Sequence, residues 1–128
     1  MATLELNKEN FESTLNDNNI LLVDFWAEWC GPCKMFGPTF EKVAEKHQDI
    51  AFAKVNTEEQ QEIAASFGIR SIPTLGVFKE NVLVFMQPGA LPETAPAELV
   101  EKARGLDMDE VRKQLEQEAS AGKAEAAA

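Results

Sequence analysis

The chain has 128 residues, 45% of them hydrophobic, and carries 22 acidic against 12 Lys and Arg side chains, a formal charge of −10. That length fits a single domain with a real core, and the acidity leaves no basic stripe for phosphates, so no nucleic-acid partner is expected. No apolar run reaches the roughly 18 residues of a membrane span, and Met1-Ala2-Thr3-Leu4-Glu5 lacks the basic and apolar regions of a secretory signal, so no membrane association and a cytoplasmic location are expected.

Asn7 is placed to cap a short helix from Lys8 to Leu15, and Asp17-Asn18-Asn19 reads as a turn. The apolar run Ile20-Leu21-Leu22-Val23-Asp24-Phe25-Trp26 then reads as a buried strand. A helix is expected from Cys33 to about Lys46, kinked by Pro38, whose ring removes a backbone hydrogen bond. A strand from Ile50 to Asn56 follows, then a helix from Glu59 to Phe67 stopped by Gly68. Strands Thr74 to Phe78 and Val82 to Met86, joined by Lys79-Glu80-Asn81, read as a hairpin. A helix near Ala97 to Arg104 closes the pattern. This β-α-β then β-β-α order predicts an α/β fold, a mixed sheet with helices on both faces.

Residues 1–105 thus form one domain and 106–128 an extension. Gly105 stops a helix, and Asp107-Met108-Asp109-Glu110 restarts one as a capping box. Leu106 and Val111 are placed as a hydrophobic staple. This helix is expected from Met108 to about Glu118, with a thin apolar stripe of Met108, Val111 and Leu115. The stripe is open to three uses: lying on the domain, pairing with another chain, or staying half-solvated. Ala119 to Ala128 is of low complexity and reads as frayed.

Chemistry concentrates at Cys30-Gly31-Pro32-Cys33, which holds both cysteines of the chain. Two thiols at that spacing close and reopen a small disulfide ring, and the motif sits between a strand and a helix. Cys30 falls where the helix begins, so its sulfur faces unpaired N–H groups and the positive end of the helix dipole. It is expected to be the low-pKa attacking thiol. Cys33, inside the first turn, is expected to be more buried and to resolve the mixed disulfide. Pro32 suits the first helical turn, and Gly31 leaves the backbone open to a close-approaching substrate. Rival chemistries fit less well. A structural zinc site needs four ligands, and His47 is the one histidine; covalent haem attachment needs histidine where Lys34 stands. A static disulfide over so short a loop gains little chain-entropy stabilisation.

Asp24 interrupts the apolar run. A buried carboxylate is costly and its pKa rises, so the site reads as a proton acceptor for Cys33, directly or through a water. Lys54 interrupts the next strand in a comparable way; it either lies against Asp24 or faces outward. Pro73 stands at the first position of a strand, where proline is tolerated.

Together these residues resemble the thioredoxin family. The segment Val23-Asp24-Phe25-Trp26-Ala27-Glu28-Trp29-Cys30-Gly31-Pro32-Cys33-Lys34 is similar to its active-site signature almost letter for letter. Pro38, Ala53-Lys54-Val55-Asn56, Phe67-Gly68-Ile69-Arg70-Ser71-Ile72-Pro73-Thr74 and Gly89-Ala90-Leu91 match further blocks in the right order. The resemblance covers about residues 3 to 103 and implies a thioredoxin fold and a protein-disulfide reductase. It implies an exposed nucleophile at Cys30, a resolving thiol at Cys33, a buried carboxylate at Asp24 with Lys54 beside it, and a cis-proline at Pro73 facing the disulfide. Trp29, Gly31, Pro32, Ile72 and Gly89 would form a flat apolar docking surface for protein substrates, with Trp26 packed beside the site. Gly31-Pro32 is the reductase dipeptide, where oxidases and isomerases of the superfamily usually carry histidine. The chain lacks a dinucleotide-binding glycine motif, so no cofactor is expected, and a thioredoxin reductase would supply electrons for disulfide-containing proteins. A monomer without metal is expected. A thioredoxin-fold binding or chaperone-partner module is the alternative reading, motivated by the extra C-terminal helix. Three departures stand out: Ser71 where glycine is common, a longer Pro92-Glu93-Thr94-Ala95-Pro96 connection, and the extension itself.

Overall fold

The structure, a computed structural model, describes residues 3–127, with side chains described for 3–119. The elements run β1 (Leu4–Glu5), α1 (Phe11–Asp17), β2 (Ile20–Trp26), α2 (Gly31–Lys46), β3 (Ala51–Asn56), α3 (Gln61–Ser66), β4 (Thr74–Lys79), β5 (Val82–Pro88), α4 (Thr94–Arg104) and α5 (Met108–Ala127). The strands form one mixed sheet in the order β1-β3-β2-β4-β5. β1, β3 and β2 are parallel, whereas β4 and β5 run antiparallel to their neighbours.

Strand β2 is central, and six of its seven residues are buried. A strand covered on both faces reads as a continuous apolar run, which is why Ile20 to Phe25 shows little alternation. Its side chains still alternate. Ile20 and Leu22 meet Phe36, Phe40 and Val43 of α2 and Leu99 and Val100 of α4. Leu21, Val23 and Phe25 face the other way, onto Ile63 of α3 and the partly buried Phe11 and Leu15 of α1. Asp24 therefore belongs to the α2 face and continues the row begun by Ile20 and Leu22. That parity puts a carboxylate behind the start of α2.

Several boundaries differ from expectation for identifiable reasons. The first helix starts at Phe11 rather than Lys8, because Asn7 and Asn10 exchange side-chain to amide hydrogen bonds at 2.8 and 3.0 Å and hold the intervening residues in a turn. Strand β1 is two residues long, too short for any periodic signal, and exists by pairing with β3. Helix α2 starts at Gly31 rather than Cys33 and includes Pro38. The hairpin turns on Glu80 and Asn81, both at positive φ, so Lys79 belongs to β4. The expected frayed tail is instead helical to Ala127, in keeping with the high helix propensity of Ala, Glu and Lys. Met1, Ala2 and Ala128, which the expected leaderless start and frayed tail include, lie outside the described residues. Asp107 caps α5 as expected, its carboxylate accepting from the Asp109 and Glu110 amides at 3.0 and 3.3 Å. Met108 is buried, Val111 half-buried and Leu115 exposed, so the near end of the stripe lies on the domain. Arg112 reinforces that docking with a 2.9 Å ion pair to Glu80. Among the described residues, no helix is long and apolar enough to cross a membrane.

Lys79 ties the sheet to this end of the molecule. It is 8% exposed, and its ammonium donates to the carbonyls of Ala103, Arg104 and Leu106 at 2.6, 3.2 and 3.1 Å. The first two carbonyls end α4 and the third lies just beyond it, where the negative end of the helix dipole favours a cation. Lys79→Met keeps the length of the side chain and removes all three donors. The expected cost is about 2 kcal/mol, since a charged hydrogen bond contributes roughly 1.5–3 and the loss of a buried charge offsets part. The guanidinium unfolding midpoint measures it, with faster amide exchange in residues 103–108; an unchanged midpoint would remove Lys79 from the cap.

Candidate active site

The end of β2 and the start of α2 build the redox centre. Cys30 and Cys33 are joined as a disulfide with their Cα atoms 5.3 Å apart. Cys30 is the N-cap of α2, and its sulfur accepts a hydrogen bond from the Cys33 amide at 3.2 Å. A negative sulfur at Cys30 is favoured by that N–H and by the helix dipole. Pro32 occupies the first turn, where its missing N–H costs nothing. The exposed nucleophile expected at Cys30 is not seen in the disulfide state: both cysteines are 4% exposed. The difference between them lies in position. Cys30 sits beside the exposed Gly31 and Pro32, whereas Cys33 lines the cleft that holds Asp24.

A small apolar cluster of Ala27, Cys30 and Cys33 is closed by Trp26 and Ile72. The Cys30 sulfur lies 3.6 Å from the Ile72 carbonyl oxygen, which brings the 71–74 loop against the disulfide. The Ile72–Pro73 bond is cis, as the resemblance implied. Two contacts hold this loop that the sequence did not reveal. The Thr74 hydroxyl donates to the Ser71 carbonyl at 2.6 Å, and the Gly89 amide donates to the Pro73 carbonyl at 2.8 Å. Gly89 makes its contact at φ +97°, a conformation that suits glycine and strains other residues. Gly89 is thereby brought to the same end of the molecule as Ile72 and Pro73.

Trp29 is 70% exposed, yet its ring is not free, because its indole N–H donates to Glu58 at 2.8 Å. Nothing in the local sequence distinguishes Glu58 from Glu59 for that role. Beside the ring, Thr57, Ile69, Arg70, Ser71 and Ile72 line a shallow groove, and the Ile72 end of it touches the disulfide. A groove of mixed apolar and polar lining this close to a redox pair suits an extended polypeptide.

Behind the disulfide, Asp24, Trp26, Cys33, Lys34, Glu41 and Lys54 line a second cleft. Asp24 is 1% exposed, and neither of its oxygens has a hydrogen-bond partner. Burial pushes its carboxyl up to about 7, against the opposing pull of the Lys54 charge. The buried Trp26 indole N–H is also unpartnered. Lys54 is the register partner of Asp24 on β3, so its side chain leaves the same face of the sheet, but neither Asp24 oxygen pairs with it. The ten residues expected to act in catalysis or docking, together with Trp26, fall at this one end of the sheet. The structure adds Glu41 and Glu58, whose partners are set by tertiary packing rather than by sequence neighbours.

Comparison with known proteins accounts for this arrangement. The thioredoxin family model matches residues 2–102. A putative thioredoxin 2 of Streptomyces coelicolor is 60% identical over 122 residues, covering 94% of this chain and 91% of that protein. A match of that length cannot fit within residues 1–105, so it includes part of the extension. Thioredoxin 1 of a Nostoc species is 41% identical over 103 residues, 79% of this chain and 96% of that one. Among solved structures, a mutant thioredoxin from Halobacterium salinarum superposes with a TM-score of 0.76 at 35% identity, covering 82% of this chain and 93% of that one. The family's chemistry is thiol–disulfide oxidoreduction at a Cys-x-x-Cys pair, and that pair is present here at disulfide distance. With its five-stranded mixed sheet, its closed Cys30–Cys33 ring and its matched residues 2–102, the chain belongs to the thioredoxin family.

Proposed function

We propose that this thioredoxin reduces protein disulfides through a two-step exchange in which Asp24 takes the proton of Cys33. The Cys30 thiolate attacks one sulfur of a substrate disulfide. A Cys30–substrate bond forms, the substrate S–S bond breaks, and the first substrate sulfur leaves as a thiolate. The Cys33 thiol then gives its proton to Asp24, and its sulfur attacks Cys30. The Cys30–Cys33 bond forms and the second substrate thiolate departs, so two electrons pass from the protein dithiol to the substrate. Trp29, Gly31, Pro32, Ile72 and Gly89 dock the substrate, and Pro73 faces the reacting sulfurs. Lys54 tunes Asp24. The observation that carries this reading is the bare, buried Asp24 carboxylate on the same cleft as Cys33. A fold does not need a charge there, whereas a resolving thiol needs an acceptor.

Residues 1–105 form the catalytic unit and 106–128 an appended helix. The protein works as a cytoplasmic monomer, recharged by a thioredoxin reductase. A binding module of this fold is the weaker reading, because both redox cysteines are present and paired. Insulin reduction tests the activity: precipitation of the insulin B chain by dithiothreitol should be accelerated well above buffer, and no acceleration would count against the proposal. The equilibrium potential separates reductase from oxidase. The reductase reading requires a value near that of thioredoxin itself, about −270 mV, a reference value and not one deduced from this chain; a value near −120 mV would make the pair an oxidant.

A further inference from the structure

We propose that Glu41 is a positioning residue for this site: it holds the Lys54 ammonium at the mouth of the cleft and so keeps it from closing on Asp24. The inference rests on the reading of Asp24 as proton acceptor. Asp24 and Lys54 are register partners on adjacent strands, so both side chains leave the same face of the sheet. A flexible ammonium beside a bare, buried carboxylate would ordinarily close into an ion pair. Here it does not, and both Asp24 oxygens lack a partner. The Lys54 ammonium instead lies 4.0 Å from a Glu41 carboxylate oxygen and 5.8 Å from the centre of the Trp26 ring.

Glu41 is anchored for this task from a second element. Its carboxylate projects from α2 and accepts a hydrogen bond from the Thr3 hydroxyl, just ahead of β1. Gly37, one turn earlier on α2, puts no side chain against the ammonium. The other groups around Asp24 do not replace this pull. Lys34 and Cys33 line the cleft from α2, Leu75 is the uncharged register partner on β4, and Glu5, across Lys54 on β1, is exposed. A closed Asp24–Lys54 pair would hold the carboxyl ionised far into acid. A group that accepts a proton in one step and must release it later works best with its midpoint near ambient pH. Dividing Lys54 between two carboxylates supplies that condition.

The test is a 13C NMR titration of the Asp24 carboxyl carbon in the oxidised protein, in wild type, Glu41→Gln, Lys54→Met and the double variant. Glu41→Gln should lower the Asp24 midpoint by about one pH unit, because Lys54 is then left to Asp24 alone. In the Lys54→Met background, the same substitution should leave the midpoint unmoved. An unchanged midpoint in Glu41→Gln overturns the proposal. So does an equal fall without Lys54, since Glu41 would then act through its own field. The pH profile of insulin reduction should shift with the NMR midpoint. Asp24→Asn separates the two readings: if its pH–rate profile matches wild type, Asp24 is not the acceptor, while the NMR comparison still decides what Glu41 does to Lys54.

Discussion

Cys33→Ser is expected to stop the protein at the mixed disulfide, with a covalent substrate adduct through Cys30 and turnover reduced on the order of 10³-fold or more. The reason is geometric. In the native protein the resolving sulfur is held one helical turn from Cys30, with the two Cα atoms 5.3 Å apart, so the second step is intramolecular and outruns any external thiol. A serine hydroxyl at the same place cannot displace a disulfide sulfur. Cys30→Ser should lose turnover to the same degree but form no adduct, because the remaining thiol lies on the inner cleft with Asp24. Mass spectrometry after mixing with a disulfide-bonded protein distinguishes the two, and dithiothreitol should release the adduct. An adduct on Cys30→Ser and none on Cys33→Ser would reverse the assigned roles.

Burial alone does not predict that asymmetry, since both sulfurs are equally covered in the disulfide. What separates them is the local path of the chain. Cys30 caps α2 and receives the Cys33 amide, whereas Cys33 is already within the helix. That feature was legible in the sequence, because a strand-to-helix junction with proline in the first turn leaves one arrangement for four residues. Asp24 was legible for a related reason: a charge within six apolar residues is conspicuous wherever the strand lies. The order of elements and the two-sided sheet followed from the same apolar runs. What sequence could not supply was pairing across distance. Lys79 sat beside a turn and read as part of it, but its ammonium reaches carbonyls 24 to 27 residues further on. Glu41 and Glu58 are two of many acids on an acidic chain, and each gains its role from a partner brought up by folding. Strand β1 is invisible alone because two residues carry no period. The helix end near Asn7 moved because two asparagines satisfied each other first.

Asp24→Asn is expected to make the protein more stable and less active, and the two effects should depend on pH in opposite ways. The carboxyl titrates near 3.8 in the unfolded chain and about 7 in the folded one. Between those values the folded protein holds a proton that the unfolded chain has lost. Asp24 therefore costs little below pH 4, and its cost grows as pH rises to 7 and is full above it. At about 1.4 kcal/mol per pH unit, the gap corresponds to roughly 4 kcal/mol. Asparagine keeps the shape and cannot ionise, so guanidinium unfolding should show a gain of about 3–4 kcal/mol at pH 8 and almost none at pH 4. A gain independent of pH would mean that Asp24 does not titrate near neutrality in the native state. Activity should move the other way. Without its acceptor, Cys33 must lose its proton to water, and the resolving step should slow by on the order of 10-fold at pH 7. This is less than a general base usually contributes, because a thiol is a fairly strong acid. The deficit should narrow toward pH 9 as Cys33 ionises unaided. A buried acid that weakens the fold most where the protein works, and speeds the reaction under the same conditions, is retained for its chemistry and not for the fold.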